Sequence, residues 1–296
     1  MEKEVFLEAL KGKLLESLKF TLNFCEQHGL RCYACAGTAL GAVRHNGFIP
    51  WDDDIDLFMP RNDYDKLILL NKELNQEGYS FVCFENDINY YISFGKIIDN
   101  NTSWWELEYY PYMSGVYIDI FPLDFFEDSD ENIVLKQKEF ENIFMKFKLA
   151  HKKRYWKEIL FSFTHCNFMA TWKQIFYPHG EKYIKEYYDE IINYLKAIRE
   201  QKGAKCVCLN SLSLFRGAIF KSSWFSETIS IPFEDTSILV PKDFDSYLRL
   251  LYGDYMQLPP IEERQPHHHQ HYINLKERIT IDEAKRRIRR GERRVY

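Results

Sequence analysis

The chain lacks any run of the roughly 18 uncharged apolar residues that a membrane-crossing helix requires. The nearest stretch, residues 159–172, is broken by Ser162, Thr164, His165 and Asn167. The opening MEKEVFLEALKGK is too charged for a secretory signal. A disulfide framework is missing as well. The seven cysteines (Cys25, Cys32, Cys35, Cys83, Cys166, Cys206 and Cys208) are odd in number and irregular in spacing. On a strand Cys32 and Cys35 point to opposite faces, whereas Cys206 and Cys208 share a face but have no second ligand pair at zinc-finger spacing. Reduced thiols in a cytosol are expected. There is no basic stripe either: 39 Lys and Arg stand against 44 Asp and Glu, a net charge of -5, which excludes bulk nucleic-acid affinity. Repeats and low-complexity tracts are absent. The expectation is a cytoplasmic protein, at most peripheral on the cytoplasmic membrane face.

What is present suffices for a real core, since 46% of the 296 residues are hydrophobic and 28% charged. Leu7, Leu10, Leu14, Leu18, Leu22 and Cys25 recur at three and four, marking an amphipathic helix that ends near Gly29. Residues 30–36 read as a strand leading into a Gly37-Thr38 turn. Asp63 is expected to cap a helix running to about Asn75 and closed by Gly78. Strand-like segments follow at 79–84, 90–98 and 115–121. From Asp130 to Arg199 the pattern turns helical, with short strands expected around 206–209 and 230–240. Pro241 should sit in the first turn of a helix reaching Tyr252, with Gly253 at its end.

The densest chemistry lies between Gly37 and Asp56, where Gly37-Thr38, Arg44 and His45 precede Trp51-Asp52-Asp53-Asp54-Ile55-Asp56. Carboxylates crowded in this way repel one another unless something positive holds them. Ile55, Leu57 and Met59 alternate as one buried strand face, so Asp54 and Asp56 share the other. Two hard oxygen ligands on one face suit Mg²⁺, or Mn²⁺ in its place, with a phosphate substrate. Gly37, Thr38 and Arg44 stand just upstream, suited to gripping that phosphate. Asp52 and Asp53 either join the ligands or bond the turn after Pro50. An EF-hand fails because Leu57 occupies the position that requires Gly, and a P-loop fails because no Gly-Lys-Ser/Thr follows.

The string GTALGAVRHNGFIPWDDDIDLFMPR resembles the signature of the LicD family, which includes bacterial phosphocholine transferases and is related to fukutin and fukutin-related protein. The likeness continues through Lys96-Ile97-Ile98-Asp99-Asn100-Asn101-Thr102, Tyr117 to Asp124, and Leu251-Tyr252-Gly253-Asp254-Tyr255-Met256 with Leu258-Pro259-Pro260. It implies an α/β fold with a nucleotidyltransferase-like core, a mixed sheet flanked by helices. Residues 1–125 would form that core and 126–275 a mainly helical elaboration with short strands completing the active site. Residues 276–296 would be a basic tail. The implied reaction moves phosphocholine from CDP-choline to a hydroxyl of a cell-surface glycan, free or lipid-linked, and releases CMP. Ribitol phosphate, glycerol phosphate and phosphoethanolamine donors remain alternatives, as do a true nucleotidyltransferase releasing diphosphate and a non-catalytic glycan-assembly partner.

Within that frame Asp54 and Asp56 are metal ligands, and Asp119 is a third ligand or the general base. Lys96 is expected to bind phosphate, with Gly95 admitting close backbone approach. His45 orients the acceptor, contacts phosphate or is structural. Arg264, His267 and His268, in the cluster after the proline pair, resemble the family's Arg-and-His ending and are expected to return to the active site. The rings of Trp104, Trp105, Tyr109, Tyr110 and Tyr112 either cage a choline or pack a core. The basic run from His151 to Lys157 and the tail, with nine Lys and Arg after residue 275, either dock on anionic lipid or form solvated faces.

Overall fold

The computed structural model describes residues 2–152, 178–199, 202–209, 215, 217–266 and 268–296. The apolar stretch at 159–172, most of the basic run after His151, Cys166 and His267 lie outside these residues.

Helix α1 (Glu2–Gln27) buries Leu10, Leu14 and Leu18 fully and ends before Gly29, whose φ of 63° only glycine adopts without strain. Strand β1 (Tyr33–Ala34) is far shorter than the strand expected at 30–36, because helix α2 (Ala36–His45) begins at once. Gly37 and Thr38 are therefore in the first turn of a helix and not in a turn before one. Strand β2 (Asp56–Pro60) is buried along its whole length, on both faces. The next helix is two: α3 (Arg61–Leu69) and α4 (Asn71–Gln76). Asp63 does not cap it. It lies within the first turn, where its carboxylate accepts from Arg31 Nε at 2.7 Å.

Strands β3 (Tyr79–Val82), β4 (Gly95–Asp99), β5 (Ser103–Trp105) and β6 (Tyr117–Phe126) complete the first half. The expected strand at 90–98 begins only at Gly95. Its glycine is needed not for substrate but for packing, since a Cβ there would fall 2.3 Å from the Phe81 ring. Helices α5 (Asp130–His151) and α6 (Glu181–Ile198) pack on one another through Phe140, Phe144, Phe147, Ile191 and Leu195. Strands β7 (Lys205–Val207) and β8 (Phe220–Lys221) follow, then the hairpin β9 (Thr228–Phe233) and β10 (Thr236–Pro241). Helix α7 (Phe244–Tyr252) starts later than expected. Pro241 closes β10 instead, and the Asp243 side chain caps the helix by accepting from Ser246 N–H.

The main sheet runs β1-β2-β6-β4-β3, and β7 and β8 extend it along the far half of β6. Only β2 and β6 are parallel; the other pairings are antiparallel. The end of the chain is built into the fold. Strand β11 (Tyr272–Asn274) joins β5 to β12 (Arg294–Val295), and helix α8 (Ile281–Arg289) presses Ala284, Ile281 and Ile288 toward Trp105 and Tyr272. Among the described residues, no helix is long and apolar enough to cross a membrane.

Candidate active site

Register places the decisive charges. Asp56 on β2 is opposite Asp119 on β6, which is opposite Lys96 on β4. Residues directly opposite on neighbouring strands share a face, so three side chains 63 residues or fewer apart in sequence form one row. Asp54, two residues before Asp56, joins them. One carboxylate oxygen from each of Asp54, Asp56 and Asp119 lies within 4.8 Å of the others. Asp56 and Asp119 are buried, at 6% and 3% exposure, so water does little to relieve their repulsion.

The start of α2 holds the row in place. Thr38 Oγ1 accepts from the Asp56 backbone N–H at 2.8 Å, and Cys35 N–H donates to Asp56 O at 3.1 Å. Ala36 takes a positive φ of 44°, and its N–H donates to the Tyr247 hydroxyl of α7 at 3.1 Å. Gly37 is required by its neighbour, since a Cβ would lie 2.8 Å from the Asp52 carboxylate. Thr38 thus supports the acidic loop, while Ala36 and Gly37 bring a helix N-terminus to the cleft wall.

The cleft itself is about 490 Å³ and is lined by Asp52, Asp54, Asp56, Asp119 and His268 on its polar side. Trp51, Phe94, Phe121 and Tyr252 supply rings to the same cavity. Lys96 is not the solvated lysine that its type suggests. It is 2% exposed, its Nζ bonds Glu106 at 2.8 Å and lies 3.2 Å from Asp119 Oδ1, and it stands over the Tyr117 ring. His268 returns from the far end of the chain: Nδ1 bonds Asp53 Oδ1 at 3.0 Å and Nε2 lies 3.5 Å from Asp54 Oδ2.

Burial and the neighbouring Asp54 push the carboxyls of Asp52 and Asp56 well above their ordinary range. Burial raises Asp119 to about 6, against the opposing pull of Lys96. Burial works against a charged His268, but the Asp53 hydrogen bond and the Asp54 charge prevail and raise it to about 9. Burial likewise opposes the Glu106 carboxylate, and Lys96 nonetheless holds its pKa low. The residues present fit a divalent cation. Asp119 Oδ1 is buried with the Lys96 ammonium 3.2 Å away but no hydrogen bond, and one lysine stands there against a group of three carboxylates.

Other expected residues are elsewhere. Arg44 and His45 do not line the cleft: Arg44 Nη1 donates to Tyr255 O at 2.7 Å and its Nε contacts His45 Nε2 at 3.0 Å. Arg264 also stays outside, its guanidinium 5.5 Å from the ring centre of the wall residue Trp51 and its Nε bonded to Pro259 O. Trp104 and Trp105 are core residues on β5, and Tyr110 stacks on Tyr91. The sequence reading missed Glu106 as the partner of Lys96, Asp53 as the partner of His268, and the ring wall. Trp51 adjoins the acidic run and Tyr252 lies in the Leu251–Met256 segment, so both were within quoted motifs. Nothing in their spacing shows that they meet.

A mixed sheet carrying a carboxylate trio beside a helix N-terminus is the arrangement of the nucleotidyltransferase-like α/β class. Residues 29–175 match the family described as LicD/FKTN/FKRP, nucleotidyltransferase domain. The chain is 28% identical to the lipopolysaccharide cholinephosphotransferase LicD of Haemophilus influenzae, over 86% of this chain and 92% of that protein. It is also 34% identical to an uncharacterized protein of Rickettsia prowazekii over 26% of this chain and 28% of that one. A counterpart in Rickettsia typhi matches at 28% over 44% of this chain and 40% of its own. The chain belongs to the LicD family and is an enzyme of the phosphotransferase class.

Proposed function

We propose that this protein transfers phosphocholine from CDP-choline to a hydroxyl of a cell-surface glycan or its precursor and releases CMP, using Mg²⁺. The observation that carries the reading is the Asp54–Asp56–Asp119 group in a cleft that also presents a helix N-terminus. The similarity to a lipopolysaccharide cholinephosphotransferase over most of both chains supports the choice of phosphocholine. Asp54, Asp56 and Asp119 would hold the cation, which neutralises the donor's diphosphate and so stabilises the leaving CMP. Asp119 either serves there or takes the proton of the acceptor hydroxyl as its oxygen bonds to phosphorus and the bond to CMP breaks. The N–H at Gly37 would meet a phosphate oxygen, and Lys96 keeps Asp119 and Glu106 ionised in a dry setting. The exposed Arg289, Arg290 and Arg293 of the C-terminal segment suit contact with the anionic cytoplasmic face of a membrane that carries a lipid-linked acceptor.

The test is to incubate the protein with Mg²⁺ and a panel of CDP-alcohols, with and without candidate glycans, and to measure what is released. CMP from CDP-choline in the presence of a glycan supports the reading. CMP from CDP-ribitol, CDP-glycerol or CDP-ethanolamine instead would reassign the alcohol, and diphosphate release would make the protein a true nucleotidyltransferase. No turnover with any donor would favour a glycan-assembly partner without catalysis.

A further inference from the structure

We infer that His268 is a nitrogen ligand of the active-site cation, held in position by Asp53, so that the metal site is mixed and not purely carboxylate. This rests on the cation reading of Asp54, Asp56 and Asp119 and adds to it a residue contributed by the last part of the chain.

Two ligand groups share one member. Asp54 belongs with Asp56 and Asp119, and equally with Asp53 and His268, the candidate ligand atoms of each group lying within 4.8 Å of one another. A cation held by Asp54 would have the imidazole beside it as well as the strand pair. The orientation of that ring is fixed. Nδ1 is 3.0 Å from Asp53 Oδ1, while the edges of Trp104 and Tyr117 confine the ring, with centroids 6.5 and 6.3 Å away. With Nδ1–H committed to Asp53, Nε2 is the atom left facing Asp54 Oδ2, at 3.5 Å.

Asp53 explains why the ring is held so firmly. It is fully buried, and it accepts from His268 and, at 3.4 Å, from Gln270 Nε2 on the same returning segment. An imidazole retained only as a counter-charge needs no fixed tautomer. One that coordinates a metal through Nε2 does, and a carboxylate on Nδ1 is the usual means of setting it. When the cation binds, it takes the place of any proton on Nε2, which leaves to solvent. The second Asp of the acidic run thus acts behind the ligands, and the returning His supplies the donor. An imidazole also broadens metal choice, since nitrogen favours Mn²⁺ and Co²⁺ over Mg²⁺.

The experiment loads the full-length protein with Mn²⁺ and reads nitrogen coupling to the metal by pulsed EPR, alongside Mn²⁺ and Mg²⁺ affinities. A directly bound nitrogen is expected in the unaltered protein and is lost in His268→Ala while Mn²⁺ still binds. His268→Gln, which keeps a polar partner for Asp53, should lose it equally and guards against misfolding. Asp53→Asn should weaken Mn²⁺ binding about 10- to 100-fold. In His268→Ala the preference for Mn²⁺ over Mg²⁺ should fall. Bound Mn²⁺ without nitrogen coupling in the unaltered protein overturns the assignment of His268 and leaves the carboxylate site standing. Coupling that survives both His268 variants overturns it too. Failure of the unaltered protein to bind any divalent cation overturns both readings.

Discussion

The two ends of the parallel strand pair β2 and β6 handle buried charge in opposite ways. At the far end Arg61, 3% exposed, gives Nε and Nη2 to the two oxygens of Asp124 at 2.7 and 3.0 Å. Glu85 bonds Arg199 and lies 3.7 Å from Arg61, and Asp65 lies 3.6 Å from Arg199. Two guanidinium groups there stand against three carboxylates, nearly in balance. At the near end, among the described residues, Asp52, Asp53, Asp54, Asp56, Asp119 and Glu106 stand against Lys96 and His268, with Lys11 acting on Asp52 and Asp53 from further off. Both clusters are buried, yet only one carries a large excess of negative charge. The far cluster comes close to neutrality within the protein, although Arg61 Nη1, Asp65 Oδ1, Glu85 Oε2 and Arg199 Nε make no hydrogen bond; the near one carries the excess charge that the proposed cation would offset. Excess buried charge, not the presence of charge, separates the reaction centre from a structural ion-pair network.

The sharpest way to break that contrast is Arg61→Ala. It leaves Asp124 buried without its bidentate partner and Glu85 with Arg199 alone, and should cost about 3–5 kcal/mol in urea unfolding. Turnover per folded molecule should stay close to that of the unaltered protein; a large loss in the folded fraction would mean that the two ends are coupled.

Asp54→Asn or Asp56→Asn should do the reverse. Turnover is expected to fall by at least about two orders of magnitude. The metal-free protein should melt no lower, and even higher, because repulsion falls. The rise in melting temperature on adding Mg²⁺ should shrink. Retained turnover would remove these carboxylates from the metal site.

Lys96→Ala lies between the two, since it removes the one buried lysine of the near cluster. Its charged hydrogen bonds are worth about 1.5–3 kcal/mol, so a ten- to hundredfold fall in kcat/KM is expected together with a lower melting temperature. Mg²⁺ should recover part of the stability, because a cation can neutralise Asp119 in place of the lysine. Unchanged kcat/KM and stability would return Lys96 to a passive role.

The smallest effect concerns the ring wall. Trimethylammonium packs on aromatic faces, whereas a primary ammonium is costlier to dehydrate, so CDP-choline should be preferred over CDP-ethanolamine. A ring contact of roughly 2 kcal/mol corresponds to about thirtyfold, and Trp51→Ala or Tyr252→Ala should erase most of it. Trp105→Ala should instead lower stability and leave the preference intact, since that ring is buried on β5.

Much of the site was legible because it is local. Period-two alternation through Ile55, Leu57 and Met59 put Asp54 and Asp56 together, and the resemblance added Asp119. Helix edges were harder. Asp63 and Pro241 are common cap and first-turn residues, but here one is taken by Arg31 and the other finishes β10. Lys96 was expected at the site as a phosphate contact, but its burial was not legible. Its type argues for water, and only the meeting of β4 with β6 reveals a buried partner in Asp119.

By itself the sequence determined the ingredients: a globular α/β chain, two carboxylates two residues apart (although Asp54 lies just before β2 and only Asp56 is on it), a third carboxylate on another strand, and the LicD resemblance. These follow from spacing, which fixes neighbours within an element. The tertiary structure alone decided that Asp56, Asp119 and Lys96 share one row, that Asp53 turns away to hold His268, and that Trp51 and Tyr252 face the cleft while Trp104 and Trp105 pack the core. Strand order and register are set by which surfaces bury together, a property of the whole chain that no local pattern contains.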